Sequence, residues 1–321
     1  MADRPPSPGP PAAEPQCPVD PARQRWLESS LSWFADQFGT GPLHRDAILP
    51  TAKFLVQDGY CASADQVQAL VAHLCQQMMV AHQRIRLELF DGSAEKKQAA
   101  RTGRSRAVGH FRIEDGQAIV AVDQSESSDR QLLTAIVVHE LCHLRLLGEG
   151  RIRRDRPDGE RLTDLLTVYF GFGIFSANAA LRFARADRGW SLVPFGDLDD
   201  RTLNAARNDG YHRLGYLTSA EFGYALACYG WLRGERHPAW APYLSPGARV
   251  VLERGLAYLA STSTGGQLPT QRLMNKPVKM GNATIRITRG KTLQLGTLGL
   301  TLPDHATPRP SDDATPGDRQ V

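Results

Sequence analysis

The chain has 321 residues, of which 41% are hydrophobic and 22% are charged, and its formal net charge is +4. This composition lies in the ordinary globular range and leaves room for one large domain or two small ones. The small charge gives no reason to expect nucleic acid as a partner. No stretch approaches the roughly 18 continuous apolar residues of a membrane span, so we expect no membrane partner.

The cysteines are odd in number, widely spaced and without a CxxC pair. This pattern favours free thiols over a disulfide framework or a thiolate zinc cluster. The first residues also lack the basic and apolar regions of a secretory signal. We therefore expect a soluble cytoplasmic protein.

The first part of the chain changes from a polar leader to helical patterns. Residues 1–22 are rich in proline and poor in large apolar side chains, which predicts a disordered leader. Apolar residues at helical spacing then predict one helix from Trp26 to Phe38 and another from Ser63 to about His82. Both stripes are typical of core packing.

Alternating apolar residues predict strands next, at residues 84–90, 108–113 and 118–122. A small, largely antiparallel sheet is therefore expected before a helix over residues 128–147, which is apolar enough to be buried. Further helical patterns follow at residues 161–170, 174–183, 219–232 and 246–259.

These patterns predict an α+β fold, a mainly helical domain over residues 23–260. Residues 261–302 contain six lysines or arginines and no acidic residue. They predict a basic appendage, either a β-hairpin about Arg289-Gly290 or a loosely held segment. Residues 303–321 are predicted to be a disordered tail.

Two histidines stand four residues apart in the run His139-Glu140-Leu141-Cys142-His143. On a helix both imidazoles project from one face about one turn apart, which suits two ligands of a tetrahedral zinc ion. Glu140 is placed to take a proton from metal-bound water, as in other H-E-x-x-H motifs. Cys142 is expected to pack as a small apolar residue. The alternative is a metal-free core helix whose histidines are hydrogen-bonded to their neighbours.

A catalytic zinc usually has three protein ligands and one open position. Glu160 is the strongest candidate for the third ligand, because Glu160 and Asp164 stand four residues apart on the next predicted helix. There Glu160 can bind the metal while Asp164 accepts a hydrogen bond from the outer ring nitrogen of a ligating histidine.

H-E-x-x-H followed by E-x-x-x-D on the next helix resembles the gluzincins, the thermolysin-like branch of the zincin metallopeptidases. The resemblance covers about residues 118–180. It implies a zincin-like domain with zinc held by His139, His143 and Glu160, with Glu140 as general base and Asp164 as the partner of His139. It also implies that the strand at 118–122 lines the substrate cleft and pairs with an extended peptide.

Glu149 competes with Glu160 for the third ligand position. It stands six residues after His143, where the metzincin branch of the zincins places its third ligand. That branch also has a glycine where this chain has Leu146. We therefore favour Glu160, and we expect Glu149 to pair locally with Arg151 or Arg153.

The predicted reaction is hydrolysis of a peptide or protein substrate by metal-activated water, with a glutamate as general base. The developing oxyanion needs a hydrogen-bond donor, and His212 and Tyr216 are the candidates. The alternative is a zincin-like scaffold that binds metal and a regulatory partner without turnover. Glu140 argues against that alternative, because metal ligation alone needs no base at this position.

Overall fold

The computed structural model of the protein describes residues 14–51, 54, 60–93, 108–186, 217–262, 278–280 and 283–285. Helices dominate these ranges, and the strands are short, so the predicted mainly helical α+β class is confirmed. The helices are α1 Pro21–Phe38, α2 Ala64–Gln77, α3 Arg130–His143, α4 Gly159–Tyr169, α5 Gly173–Ala186, α6 Ser219–Leu232 and α7 Pro246–Thr262. The strands are β1 Ile85–Phe90, β2 Gly109–Glu114, β3 Gln117–Asp123, β4 Val278–Met280 and β5 Ala283–Ile285.

The first three strands form one sheet in the order β1-β3-β2. Asp115 and Gly116 both have positive φ, which is the requirement of a two-residue type I′ turn, and they join β2 to β3 as an antiparallel hairpin. β1, however, runs parallel to β3. The prediction of a largely antiparallel sheet is therefore wrong: the sheet is mixed, because alternation along a strand carries no information about the direction of its partner.

β3 lies in the middle of this sheet and is paired along both edges. Its backbone hydrogen-bonding groups are therefore occupied on both sides. The expectation that residues 118–122 pair with an extended peptide is wrong for this reason. β2 is an edge strand, and no other strand within the described ranges pairs with its outer edge.

α3 is the central helix of the domain. Asp129 caps its N-terminus by accepting a hydrogen bond from the backbone N–H of Leu132 at 3.0 Å. Every side chain from Leu132 to His143 is buried, which a nearly apolar helix requires. The next five residues, Leu144–Gly148, form a π-helical turn, a local widening that is frequent at functional sites.

Residues near both ends of the described ranges have defined secondary structure that can be compared with the predicted domain boundaries. Asp20 caps α1 through Oδ1, and Val19 is buried, so the folded part begins before residue 23. β4 and β5 form an antiparallel pair within the predicted basic appendage. Arg289-Gly290 and the predicted tail lie outside the described residues. None of the helices that the structure describes combines the length and apolar composition needed to cross a membrane.

α6 and α7 pack closely because glycines stand at their contact. A Cβ added to Gly223 of α6 would lie 2.5 Å from Cβ of Val251 on α7, and one added to Gly255 would lie 2.7 Å from Cβ of Ala227. Real Cβ atoms do not approach this closely, so the two helices would have to separate. Their contact therefore depends on the absence of these side chains.

Gly223→Ala should lower the free energy of unfolding by about 1–3 kcal/mol, the usual cost of overpacking a core. Gly247→Ala on α7 is the matched control, because a Cβ there meets no atom within 4 Å. Its unfolding free energy should be unchanged or raised by up to about 1 kcal/mol. Denaturant unfolding of both variants provides the measurement, and equal effects would contradict the packing described here.

Candidate metal centre

The three predicted metal ligands lie together where the C-terminal end of α3 meets the N-terminal turn of α4. The rings of His139 and His143 have centroids 4.9 Å apart and are nearly perpendicular. Oε2 of Glu160 lies 3.4 Å from Nε2 of the first histidine and 3.3 Å from Nε2 of the second. One ligand atom from each of the three residues lies within 4.8 Å of the other two.

The spacing and chemistry of these atoms fit a zinc ion. With zinc–ligand bonds of about 2.0–2.1 Å and tetrahedral angles, two ligand atoms stand about 3.3 Å apart. The two imidazole–carboxylate distances are 3.3 and 3.4 Å. Two imidazoles and one carboxylate are also the donor set of catalytic zinc sites that keep a fourth position open. The Glu160 side chain is 31% exposed, so the centre borders solvent.

The electrostatics of the cluster favour a positive charge at its centre. Burial by itself raises the pKa of the Glu160 carboxyl, but the two imidazoles beside it lower it below its ordinary value. Burial by itself lowers the pKa of His139, but the carboxylates of Asp164 and Glu160 raise it well above its ordinary value. Both shifts arise because carboxylates and imidazoles lie close together, where each stabilises the charged form of the other.

Asp164 orients the imidazole of His139 from behind. Its Oδ1 lies 3.0 Å from Nδ1 of that ring, and its Oδ2 accepts a hydrogen bond of 3.0 Å from the backbone N–H of Leu217. The carboxylate is almost fully buried and held from two sides. Because Nδ1 donates to this carboxylate, the neutral form of the ring has its lone pair on Nε2, the nitrogen that faces Glu160, as metal binding requires.

The side chain of Glu140 is buried where α3 packs against the start of β2. A Cβ added to Gly109 would lie 2.8 Å from Oε1 of Glu140 and 3.2 Å from its Cγ, so the strand contacts the carboxylate directly. Burial raises the pKa of the Glu140 carboxyl above its ordinary value, although the charges of His139 and His143 oppose the rise. A carboxyl with a raised pKa suits a general base, because it can hold a proton during part of the reaction.

β2 also places an aromatic side chain next to the metal centre. The ring of Phe111 stacks on that of His143 with centroids 6.3 Å apart and an angle of 14° between the planes. Gly109 and Phe111 stand two residues apart, so both face α3. Sequence patterns missed both residues. The available signal was a glycine at the first residue of a strand, which often marks a close approach of the backbone.

Contacts from α1 and α6 hold the first turn of α4, which carries Glu160. The guanidinium of Arg161 lies 4.3 Å from the ring centroid of Trp26, and the indole N–H of that tryptophan donates to Asp158 at 2.8 Å. Arg161 also forms an ion pair with the fully buried Glu221. Asp158 and Arg161, which lie before and after Glu160 in the chain, are both held by these contacts. The first turn of α4 is therefore fixed with the Glu160 carboxylate beside the histidines.

The other residues considered from the sequence have different places. Both carboxylate oxygens of Glu149 form ion pairs, one with Arg145 at 2.7 Å and one with Arg151 at 2.9 Å. The predicted local pairing with Arg151 is therefore confirmed, and this carboxylate is not part of the cluster. Cys142 is fully buried in the core, as predicted. His212 and Tyr216 lie outside the described residues.

Glu160→Gln should weaken zinc binding by at least about 100-fold, since loss of an outer-sphere partner alone costs about 10- to 100-fold. Glu149→Gln is the matched control, because it makes the same chemical change in the competing glutamate. It should bind about one equivalent of zinc with unchanged affinity. Competition with a chromophoric chelator measures both variants. Weakening by Glu149→Gln and not by Glu160→Gln would show that the wrong glutamate was assigned.

No family model, curated protein or solved structure matches the chain. A function for this protein therefore has to follow from the side chains themselves. The cluster formed by α3, α4 and β2 is the part of the described chain where such an inference is strongest.

Proposed function

We propose that the protein is a zinc-dependent peptidase with a zincin-like, gluzincin-type site. The observation that supports this most strongly is the convergence of the two Nε2 atoms and Oε2 of Glu160 beside the buried carboxylate of Glu140. A zinc ion held there supplies Lewis acidity, which polarises a substrate carbonyl and makes water a better nucleophile near neutral pH. His139, His143 and Glu160 would hold the ion.

Glu140 carries the proton transfers of the reaction. Its carboxylate takes a proton from the attacking water, and the resulting carboxyl donates that proton to the amine that leaves. Its raised pKa favours the first step, because burial makes the carboxylate a stronger base. Gly109 leaves room for this carboxylate, because a Cβ at that position would lie 2.8 Å from Oε1 of Glu140.

The outer edge of β2 offers a place for an extended substrate. The backbone N–H of Asp123 donates to the carbonyl of Val108 at 3.0 Å, so in this antiparallel register the residues at even positions of β2 form the backbone hydrogen bonds to β3. Gly109 and Phe111 therefore direct their backbone N–H and C=O groups to the outer edge. We propose that a peptide pairs with these groups, which would bring its backbone beside Glu140.

Glu140→Gln should bind zinc as tightly as the original protein and lose about 10²- to 10⁴-fold in kcat, the usual contribution of a positioned general base. The amide has the same shape but cannot accept the proton. Glu253→Gln, an exposed position on α7, is the control and should retain full activity. Activity is measured on a quenched-fluorescence peptide library, and zinc content on the same samples.

Two results would contradict this proposal. One is a zinc-loaded protein that cleaves no member of the library, which would favour the non-catalytic scaffold. The other is a Glu140→Gln variant that retains full activity.

Gly109→Ala should lower kcat by at least about tenfold and leave zinc affinity within a few-fold of its original value. Its Cβ would lie 2.7 Å from Cγ2 of Ile136 and 2.8 Å from Oε1 of Glu140, so these side chains must shift, and misplacement of the base by about 1 Å is costly to catalysis. Gly247→Ala adds the same methyl group in open space and should retain full activity. Unchanged kcat in the Gly109 variant would show that the position of the base does not depend on β2.

A further inference from the structure

The second zinc-binding histidine has an outer partner of its own. Nδ1 of His143, the ring nitrogen that does not face Glu160, lies 3.4 Å from Oγ1 of Thr163 on α4. Thr163 is fully buried, so no water competes for this hydroxyl. The same Oγ1 lies 2.9 Å from the backbone carbonyl oxygen of Gly159.

The carbonyl decides the direction of both hydrogen bonds. A carbonyl oxygen only accepts, so the single hydrogen of the Thr163 hydroxyl is donated to Gly159. The hydroxyl then has only lone pairs left for the imidazole. These lone pairs can accept a hydrogen from Nδ1 of His143, and a neutral ring with its hydrogen on Nδ1 has its lone pair on Nε2.

We propose that Thr163 is a positioning residue that fixes the tautomer of His143 and directs its Nε2 lone pair at the metal. This inference rests on the metal site of the proposed function, but not on catalysis. Two hydrogen bonds, from the imidazole to the hydroxyl and from the hydroxyl to the Gly159 carbonyl, connect His143 on α3 to the backbone of α4. The position of α4 therefore determines the orientation of this imidazole.

One face of α4 therefore carries one of the three proposed ligands and the hydrogen-bond partners of the other two. Glu160 supplies the carboxylate, and the side chains three and four residues later, Thr163 and Asp164, hold the two imidazoles. The two outer partners differ in charge. A neutral hydroxyl behind His143 adds no further negative charge to a centre that already contains the carboxylates of Glu140, Glu160 and Asp164, each of which needs compensation when it is buried.

A purely structural role for Thr163 makes a different prediction. Threonine hydroxyls inside helices often donate to the carbonyl four residues earlier for local reasons alone. In that case the His143 tautomer would not depend on residue 163, and its loss would leave the metal affinity unchanged. The tautomer and the affinity therefore discriminate between the two roles.

The first test uses the unaltered protein without metal, at a pH at which the His143 ring is neutral. Two-dimensional ¹H–¹⁵N NMR of the imidazole nitrogens identifies which nitrogen carries the hydrogen. We expect it on Nδ1. A hydrogen on Nε2 would overturn the role of Thr163, whether or not the protein is an enzyme. Absence of zinc binding, in contrast, would overturn the proposed function.

The second test compares two variants of residue 163. Thr163→Val keeps the shape but removes the hydroxyl, and it should weaken zinc binding about 10- to 100-fold, as loss of an outer partner does. Thr163→Ser keeps the hydroxyl and should restore affinity to within a few-fold of the original. Equal affinity in the valine variant and the original protein, or an equal loss in both variants, would overturn the proposal. If the valine variant does not fold, the tautomer of the unaltered protein decides.

Discussion

The contact between the end of α3 and the first turn of α4 buries acidic and imidazole side chains together, and the function proposed for this protein depends on that constraint. Removing a carboxylate from water is costly unless a cation or several hydrogen bonds compensate for it. Asp164 has such compensation from a ring N–H and a backbone amide. Glu160 faces both Nε2 atoms, where a metal ion would compensate it more strongly than a shared proton.

The surroundings of this contact keep it rigid. An apolar α3 cannot leave the core, and α4 is held at its first turn by Trp26 and Glu221 through Arg161. Ligands on packed helices are placed more accurately than ligands on loops. Metal affinity and placement of the base should therefore both depend on residues that never touch the metal, which explains why so much of the centre lies outside the short motif.

The residues of the cluster could be predicted because their pairing depends on local periodicity. Residues four apart on a helix share a face, so His139 and His143, and then Glu160 and Asp164, were paired from spacing alone. The remainder depends on contacts between elements distant in sequence. No local pattern reveals that Gly109 contacts Glu140, that the Thr163 hydroxyl faces an imidazole, or that β1 runs parallel to β3. These contacts follow from strand order and helix packing, which alternation and spacing do not encode.

The hydrogen bond from Leu217 to Asp164 comes from a main-chain amide. Any amino acid except proline brings the same donor to this place, so the identity of the side chain at position 217 is irrelevant to this particular bond. Substitutions there can alter core volume without removing the group that holds the carboxylate. Substitutions at position 217 are therefore compatible with this hydrogen bond, with one exception. Proline has no backbone N–H, and it would leave Oδ2 of Asp164 without this donor.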